Sequence, residues 1–479
     1  MSGLVPPGDA PVISPARAEY RRTLERLYRR RRFGMRPGLE VMQALLGELG
    51  DPQRSFPAVH VTGSKGKGSV AAMTQAILSA HGLRVGLFTS PHLSRYAERI
   101  RLDGRTIPPT AVTRGVARVE AAASALTESG RIDREQTFFE ITTALALDWF
   151  ARQEVDAAVV EVGIGGRLDA TNVLDARVGV LTTIELEHTD VLGDTLTAIA
   201  EEKSGILHPG MRAVVGMLPE EAQAVVTRTT DRLGLSVWRL GHEVAVGDRA
   251  LAPDGQSFSV RVPGLALPRV RIPLLGAFQT GNAGLAVAAS VRFLEATGRR
   301  PRPAAVVHGL AGVRWPGRLE RVAQRPELYF DVAHTPESAR AVVESLGEIA
   351  PLSDPEASAI VFGCLRGKRI DRILDALSPL ARTLVLVPVR SARGVPPSEI
   401  RPVAGGRFPR VVEAPSAGEG LKLARAATGA DGITLVTGSD YLVGELREPR
   451  GQSDEPDLSD PGQEGRPTER RVAGREPAR

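Results

Sequence analysis

The chain has 479 residues, 42% hydrophobic and 24% charged, with Lys+Arg 61 against Asp+Glu 56 and a single cysteine. That length exceeds one ordinary core, which rarely grows past roughly 250–300 residues, and the composition is that of a globular protein rather than a disordered or fibrous one. The surplus of +5 is too small to argue for nucleic acid, lone Cys364 excludes an intrachain disulfide, and no run of about 18 apolar residues offers a membrane span.

In chain order, residues 1–16 are broken by prolines, carry no apolar leader, and are expected to form a loose lead. Leu24 and Leu27 fall at helical spacing within 20–32, and the run Arg29, Arg30, Arg31 and Arg32 is expected to be a solvated helix face. From Ala58 short β-rich runs (PAVHV, VGLF, DAAVVEV, VGVLTTI) alternate with helical stretches, the first over 69–81, which predicts a parallel sheet of βαβ units. Between Val237 and Pro273 the rhythm breaks into short strands with Pro and Gly, an antiparallel excursion, before a helix resumes over 281–297.

A second alternation (LYFDVAH, AIVFG, TLVLVPV, GITLVTG) predicts a second α/β domain. The expected organisation is therefore a domain over 17–298, a linker over 299–304, a Rossmann-like domain over 305–447, and a tail over 448–479 too polar to bury anything. The protein is expected to be a soluble cytoplasmic monomer.

The strongest local signal is HVTGSKGKGSV at 60–70, where a β-run ends in glycines and a helical pattern begins. Gly63, Ser64, Lys65, Gly66, Lys67, Gly68 and Ser69 suit a phosphate cradle: backbone amides turn inward, Lys67 neutralises phosphate oxygens, and the Ser69 hydroxyl can reach Mg²⁺. Only two residues separate Gly63 from Gly66, fewer than in the standard Walker loop. Taken alone, the stretch also reads as a tight strand-to-helix turn with an exposed lysine.

The shortened cradle resembles that of the Mur ligase superfamily. TSPHLSRYAERIRLDG (89–104), TFFEITTALAL (137–147), VVEVGIGGRLDATNVL (159–174) and EHTDVLGDTLTAIAEEKSGILHPG (187–210) look like successive blocks of folylpolyglutamate and dihydrofolate synthases. LGAFQTGNAGLA (275–286), RWPGRLE (314–320) and DVAHTPES (331–338) continue the match in order. The resemblance implies a Mur-ligase-like P-loop ATPase domain with a parallel sheet, followed by a smaller Rossmann-like α/β domain. It also implies ATP-driven ligation of L-glutamate to dihydropteroate or a reduced folate through an acyl phosphate.

Residue by residue, the resemblance implies Ser90, Glu161 and His188 as Mg²⁺ ligands with Ser69 beside them, and Asn282 and Arg318 on ATP. It implies Asp331 and His334 closing from the second domain over the nucleotide and the reacting carboxylate, a carbamylated Lys203, and a monovalent cation. By spacing alone Lys203 reads as a surface partner of Glu201 or Glu202, Glu161 as an exposed strand end paired with Arg167, and His188 as a structural histidine. The chain departs from the usual bacterial pattern at Ser64-Lys65 (Thr-Asn), Glu187 (Asp), Val332 (Gly) and Thr335 (Asn). The resemblance implies small-molecule substrates only. Two rivals are a peptidoglycan-precursor ligase, disfavoured by SPHL, DATN and the short segment before Gly63, and a non-catalytic nucleotide-binding protein, disfavoured by the presence of Glu161, Lys203 and Asp331.

Overall fold

The computed structural model describes residues 14–30, 38–252, 254–350 and 354–447. Its largest sheet has eight strands: β1 (Ala58–Thr62), β2 (Val85–Phe88), β3 (Ile100–Leu102), β4 (Arg105–Thr106), β5 (Ala157–Glu161), β6 (Ala176–Leu181), β7 (Arg212–Val215) and β8 (Ser236–Arg239), in the order β4-β3-β2-β5-β1-β6-β7-β8. All neighbours run parallel except β2/β3 and β3/β4. Every residue of β1 and β5 is buried, as a parallel strand covered by helices on both faces requires. Helices Lys67–Ala80 and Phe278–Ala296 contribute to the core on one face, and Pro109–Glu128 and Phe138–Arg152 to that on the other.

Register sets the function-bearing edge. Val61 pairs with Glu161 and Thr62 with Leu181, so the loop after β1 and the carboxylate ending β5 leave the sheet side by side at its carboxyl edge. Open α/β sheets bind ligands at that edge.

The expected excursion is a three-stranded antiparallel sheet of β9 (Ala245–Ala252), β10 (Gly255–Val262) and β11 (Leu265–Ile272). Its apolar face, with Phe258, Val260, Leu267 and Val270, joins the core around helix Phe278–Ala296. A six-stranded sheet follows: β12 (Glu320–Gln324), β13 (Glu327–Phe330), β14 (Ala359–Phe362), β15 (Thr383–Leu386), β16 (Arg410–Glu413) and β17 (Ile433–Thr437), in the order β12-β13-β17-β14-β15-β16 with only β12 antiparallel. Helices Pro336–Ile349, Ile370–Leu377 and Pro397–Ala404 cover one face, and Ala417–Ala427 and Asp440–Arg447 the other. Cys364 lies fully buried in this second body, its thiol pushed up to about 12 by burial.

Two boundaries differ from the sequence expectation. Helix Pro303–Gly312, which begins inside the expected 299–304 linker, places Val306 and Leu310 in the core shared with Ile77 of the first body. The change of body therefore falls after that helix, because its apolar residues have nowhere else to be buried. The amino-terminal helix starts at Pro15, inside the expected 1–16 lead, with Ser14 as N-cap and proline at the first helical position. Of the arginine run, Arg30 bonds the Gln136 carbonyl at 3.2 Å; Arg31, Arg32 and the 448–479 tail lie outside the described residues.

If helix Pro303–Gly312 is core of the first body, Leu310→Ala should destabilise the full chain by about 2–5 kcal/mol in urea unfolding. A cost below about 0.5 kcal/mol, the ordinary range of surface substitutions, would put that helix on the surface.

Candidate active site

The loop after β1 is shaped by close approach. A Cβ at Gly63 would collide with Thr182 Oγ1, and one at Gly66, which has φ 85° and caps helix Lys67–Ala80, would fall 2.5 Å from Asn282 Oδ1. Only glycine takes that φ at little cost while leaving Asn282 room. Thr182 and Thr183 then peg the loop. Thr182 Oγ1 donates to Lys65 O at 2.5 Å, Lys65 N donates to Thr183 Oγ1 at 2.8 Å, and Ser64 N donates to Thr183 O at 2.8 Å.

Lys67 Nζ curls back onto the carbonyls of Gly63 (2.8 Å) and Ser64 (3.3 Å). Ser69 is buried and accepts from Gln279 Nε2 at 3.3 Å; Gln279 Oε1 in turn accepts from Asn282 Nδ2 at 3.0 Å. The Trp315 ring presses on Gly68, and its indole N–H has no partner among the described residues. Thus Asn282, Gln279 and Trp315, from distant parts of the chain, close around the one loop.

Glu161 is 5% exposed and accepts from Ser90 N at 3.0 Å. Burial raises its carboxyl to about 7, although Lys67, the Ser90 amide, Arg318 and Arg99 all favour the anion. The exposed Glu161–Arg167 pair that spacing suggests does not form, because Arg167 bonds Glu202 instead. Lys203 is likewise no surface residue. At 2% exposure it donates to Gly63 O at 3.1 Å and pairs with Glu187 Oε1 at 3.4 Å.

Burial, then Lys67, lower the Lys203 amine to about 8. Glu187 also pairs with Lys65 at 3.4 Å; burial pushes its carboxyl up, but Lys67, Lys65 and Lys203 together pull it below the usual value. His188 follows it in left-handed backbone, φ 50°, exposed at the start of helix Thr189–Leu192.

The second body brings three expected residues to this edge. Arg318 lies between Gly317 (φ 71°) and Leu319 (φ 47°) and acts electrostatically on both Glu161 and Asp331. Asp331 spends both oxygens on backbone, accepting Leu319 N and Ala333 N at 2.7 Å each, and burial raises it to about 6. The His334 ring bonds Val332 O through Nδ1 at 2.9 Å, and burial holds it below the ordinary imidazole value.

Thr335 is the N-cap of helix Pro336–Ile349, bonded reciprocally with Ser338, so the amide expected there is replaced by a working cap. Sequence reasoning missed Lys368 and Asp440, whose charges both act on His334. Asp440 opens a helix just after β17, a position that could have drawn notice.

No group of three or more His, Cys, Asp or Glu suited to a metal occurs among the described residues. The described residues therefore build no cage for a transition metal. Mg²⁺ fits better, since it is held by one or two carboxylates and shares phosphate oxygens and water. Glu161, a buried carboxylate bonded by Ser90 N at 3.0 Å, would supply one such oxygen.

The Mur ligase middle domain family matches residues 61–290, and the Mur ligase glutamate ligase domain family matches 317–440. The chain is 36% identical over 447 residues to a probable bifunctional folylpolyglutamate synthase/dihydropteroate synthase of Haloferax volcanii, covering 90% of this chain and 50% of that one, so it spans half that relative's length. It is 37% identical over 384 residues to the dihydrofolate synthase/folylpolyglutamate synthase of Mycobacterium tuberculosis, covering 78% of each. The Mycobacterium tuberculosis folylpolyglutamate synthase complexed with ADP superposes with a TM-score of 0.84 at 33% identity, over 90% of this chain and 98% of that one. Matched across both bodies, with cradle, buried carboxylate and second-body arginine at one edge, the chain belongs to the folylpolyglutamate synthase/dihydrofolate synthase family of Mur-type ligases.

Proposed function

We propose that this protein is an ATP-dependent, ADP-forming ligase that joins L-glutamate to the carboxylate of dihydropteroate and of reduced folates. The observation that carries this reading is the convergence of the Gly63–Ser69 cradle, Glu161 and Arg318 at one edge between two bodies, in a chain whose relative was solved with ADP. ATP would lie on the cradle, with Lys67 released from its carbonyls to meet phosphate and Asn282 and Arg318 beside it. Asp331, with both oxygens on backbone, fixes the turn that aims Arg318. The acceptor carboxylate takes the γ-phosphoryl group, the glutamate amine attacks the acyl phosphate, and phosphate leaves. His334, whose ring burial holds below the ordinary imidazole value, would receive a proton from that amine.

Ser69, Ser90, Glu161 and His188 would hold Mg²⁺, which would neutralise charge developing on the phosphates. The residues before β12 would serve ATP and those from β12 onward glutamate. A monomer in the cytoplasm completes the reading.

Purified protein given ATP, glutamate and each pterin acceptor in turn should yield one-glutamate mass increments with both acceptors. Unchanged acceptors with intact ATP would refute the assignment. Protons and Mg²⁺ compete for Glu161, so the apparent Mg²⁺ affinity should fall by up to about tenfold per pH unit as pH drops below about 7. Glu161→Gln should bind Mg²⁺ weakly and lose that extra pH dependence; parallel profiles for the two proteins would remove Glu161 from the metal site.

Lys203 is proposed to carry CO₂ as a carbamate, the neutral amine adding to CO₂ and releasing one proton. With the amine at about 8, on the order of a tenth is neutral at pH 7, far more than for an ordinary lysine. Protein equilibrated with ¹³CO₂ should show a carbamate carbon resonance that Lys203→Ala abolishes together with activity. An active enzyme lacking that resonance would leave Lys203 as the partner of Glu187.

A further inference from the structure

Loop 90–95 belongs to the first body, yet its middle residue is packed in the second. Leu93 lies against the second-body core formed by Leu328, Phe330, Val332, Val436 and Val443. Two glycines make the space. A Cβ at Gly317 would fall 3.1 Å from Leu93 Cδ2, while one at Gly444 would collide with Leu93 O and sit 2.8 Å from its carbonyl carbon. Ser94 Oγ donates to Gly444 O at 3.2 Å beside this contact.

The loop is stiff enough to transmit position. Glu98 accepts the backbone amides of Leu93 (2.9 Å), Ser94 (3.3 Å) and Arg95 (3.1 Å), so three successive N–H groups close on one carboxylate. At the other end Ser90 N is bonded to Glu161. In the second body, Glu320 accepts Gly317 N at 2.9 Å and pairs with Arg447 at 3.1 Å, fastening the Arg318 turn to the helix containing Gly444. Leu93 thus touches the glycine preceding Arg318 and lies three residues from Ser90.

We infer that Leu93, seated between Gly317 and Gly444, is a positioning residue that registers Arg318 of the second body against the Ser90–Glu161 pair of the first. Its role rests on the proposed ligase reaction for its catalytic readout, but not for its geometric one. Closure of two bodies around substrate commonly completes an active site, and small misplacements are costly. Leu93 touches no reacting atom; it acts through the two groups whose spacing it sets.

The test uses the full chain. Leu93→Ala and Gly444→Ala should each lower kcat about tenfold or more while Leu93→Met stays within about threefold, because the thioether side chain refills the same apolar slot. Alanine favours helix over glycine, so a purely local effect of Gly444→Ala would not loosen the fold. All three should still melt above the assay temperature, so that unfolded protein does not account for the loss of kcat.

Dyes on cysteines introduced at exposed Ser124 and Arg425 report the distance between the bodies, since Cys364 is buried. The distance change on adding a non-hydrolysable ATP analogue and folate should shrink in the two alanine variants and persist in Leu93→Met. Folded alanine variants with wild-type kcat and wild-type distance change would overturn the inference, as would activity lost only in proportion to unfolded protein. If the wild type made no ligated product, the reaction assigned above would fail, and the dye distances alone would decide the role of Leu93.

Discussion

How closely β1 and β6 leave the first sheet together decides most of what lies above it. With Thr62 in register with Leu181, the next residue of β1 must pass directly beside the Thr182 hydroxyl, and only a residue without a side chain can do so. Gly63 satisfies that demand. The threonine pair that follows β6 then bonds the backbone of Ser64 and Lys65, so the loop is held from the neighbouring strand's end as well as by its own Lys67. The Gly63 carbonyl, left facing inward, receives both Lys67 and Lys203.

That arrangement concentrates positive charge in a place where burial penalises it. Lys65, Lys67 and Lys203 surround Glu187, and the carboxylate binds two of them at 3.4 Å. Glu161 of the first body and Asp331 of the second are buried carboxyls raised to about 7 and about 6, and Arg318 acts electrostatically on both. Raised carboxyls beside the lowered Lys203 amine are the pattern of a functional site.

The parallel sheets, the antiparallel excursion and the cradle were legible in the sequence because each is written in local periodicity or in glycine placement. Lys203 was not. Its neighbours Glu201 and Glu202 give the pattern of a solvated helix face, and nothing within one turn reveals that Gly63, far away in the chain, lies against it. The same locality hid helix Pro303–Gly312, whose preceding GRRPRP has the composition of a linker although the helix buries Leu310. Lys368 and Asp440 escaped notice because a single charge after a strand looks like any loop charge until the opposing His334 is in place. The resemblance to known ligases singled out Glu161 and Lys203 where spacing argued for surface pairs, and both side chains are buried.

The seating of Leu93 has a thermal consequence. Contact between the two bodies is apolar at Leu93, while Arg249 of the first body and Glu348 of the second form an ion pair at 2.7 Å. Apolar association weakens as water is cooled, and partly exposed ion pairs weaken as salt rises. Cold, saline solution therefore acts on both kinds of contact in the same direction, and the hold of one body on the other is firmest in warm, dilute conditions.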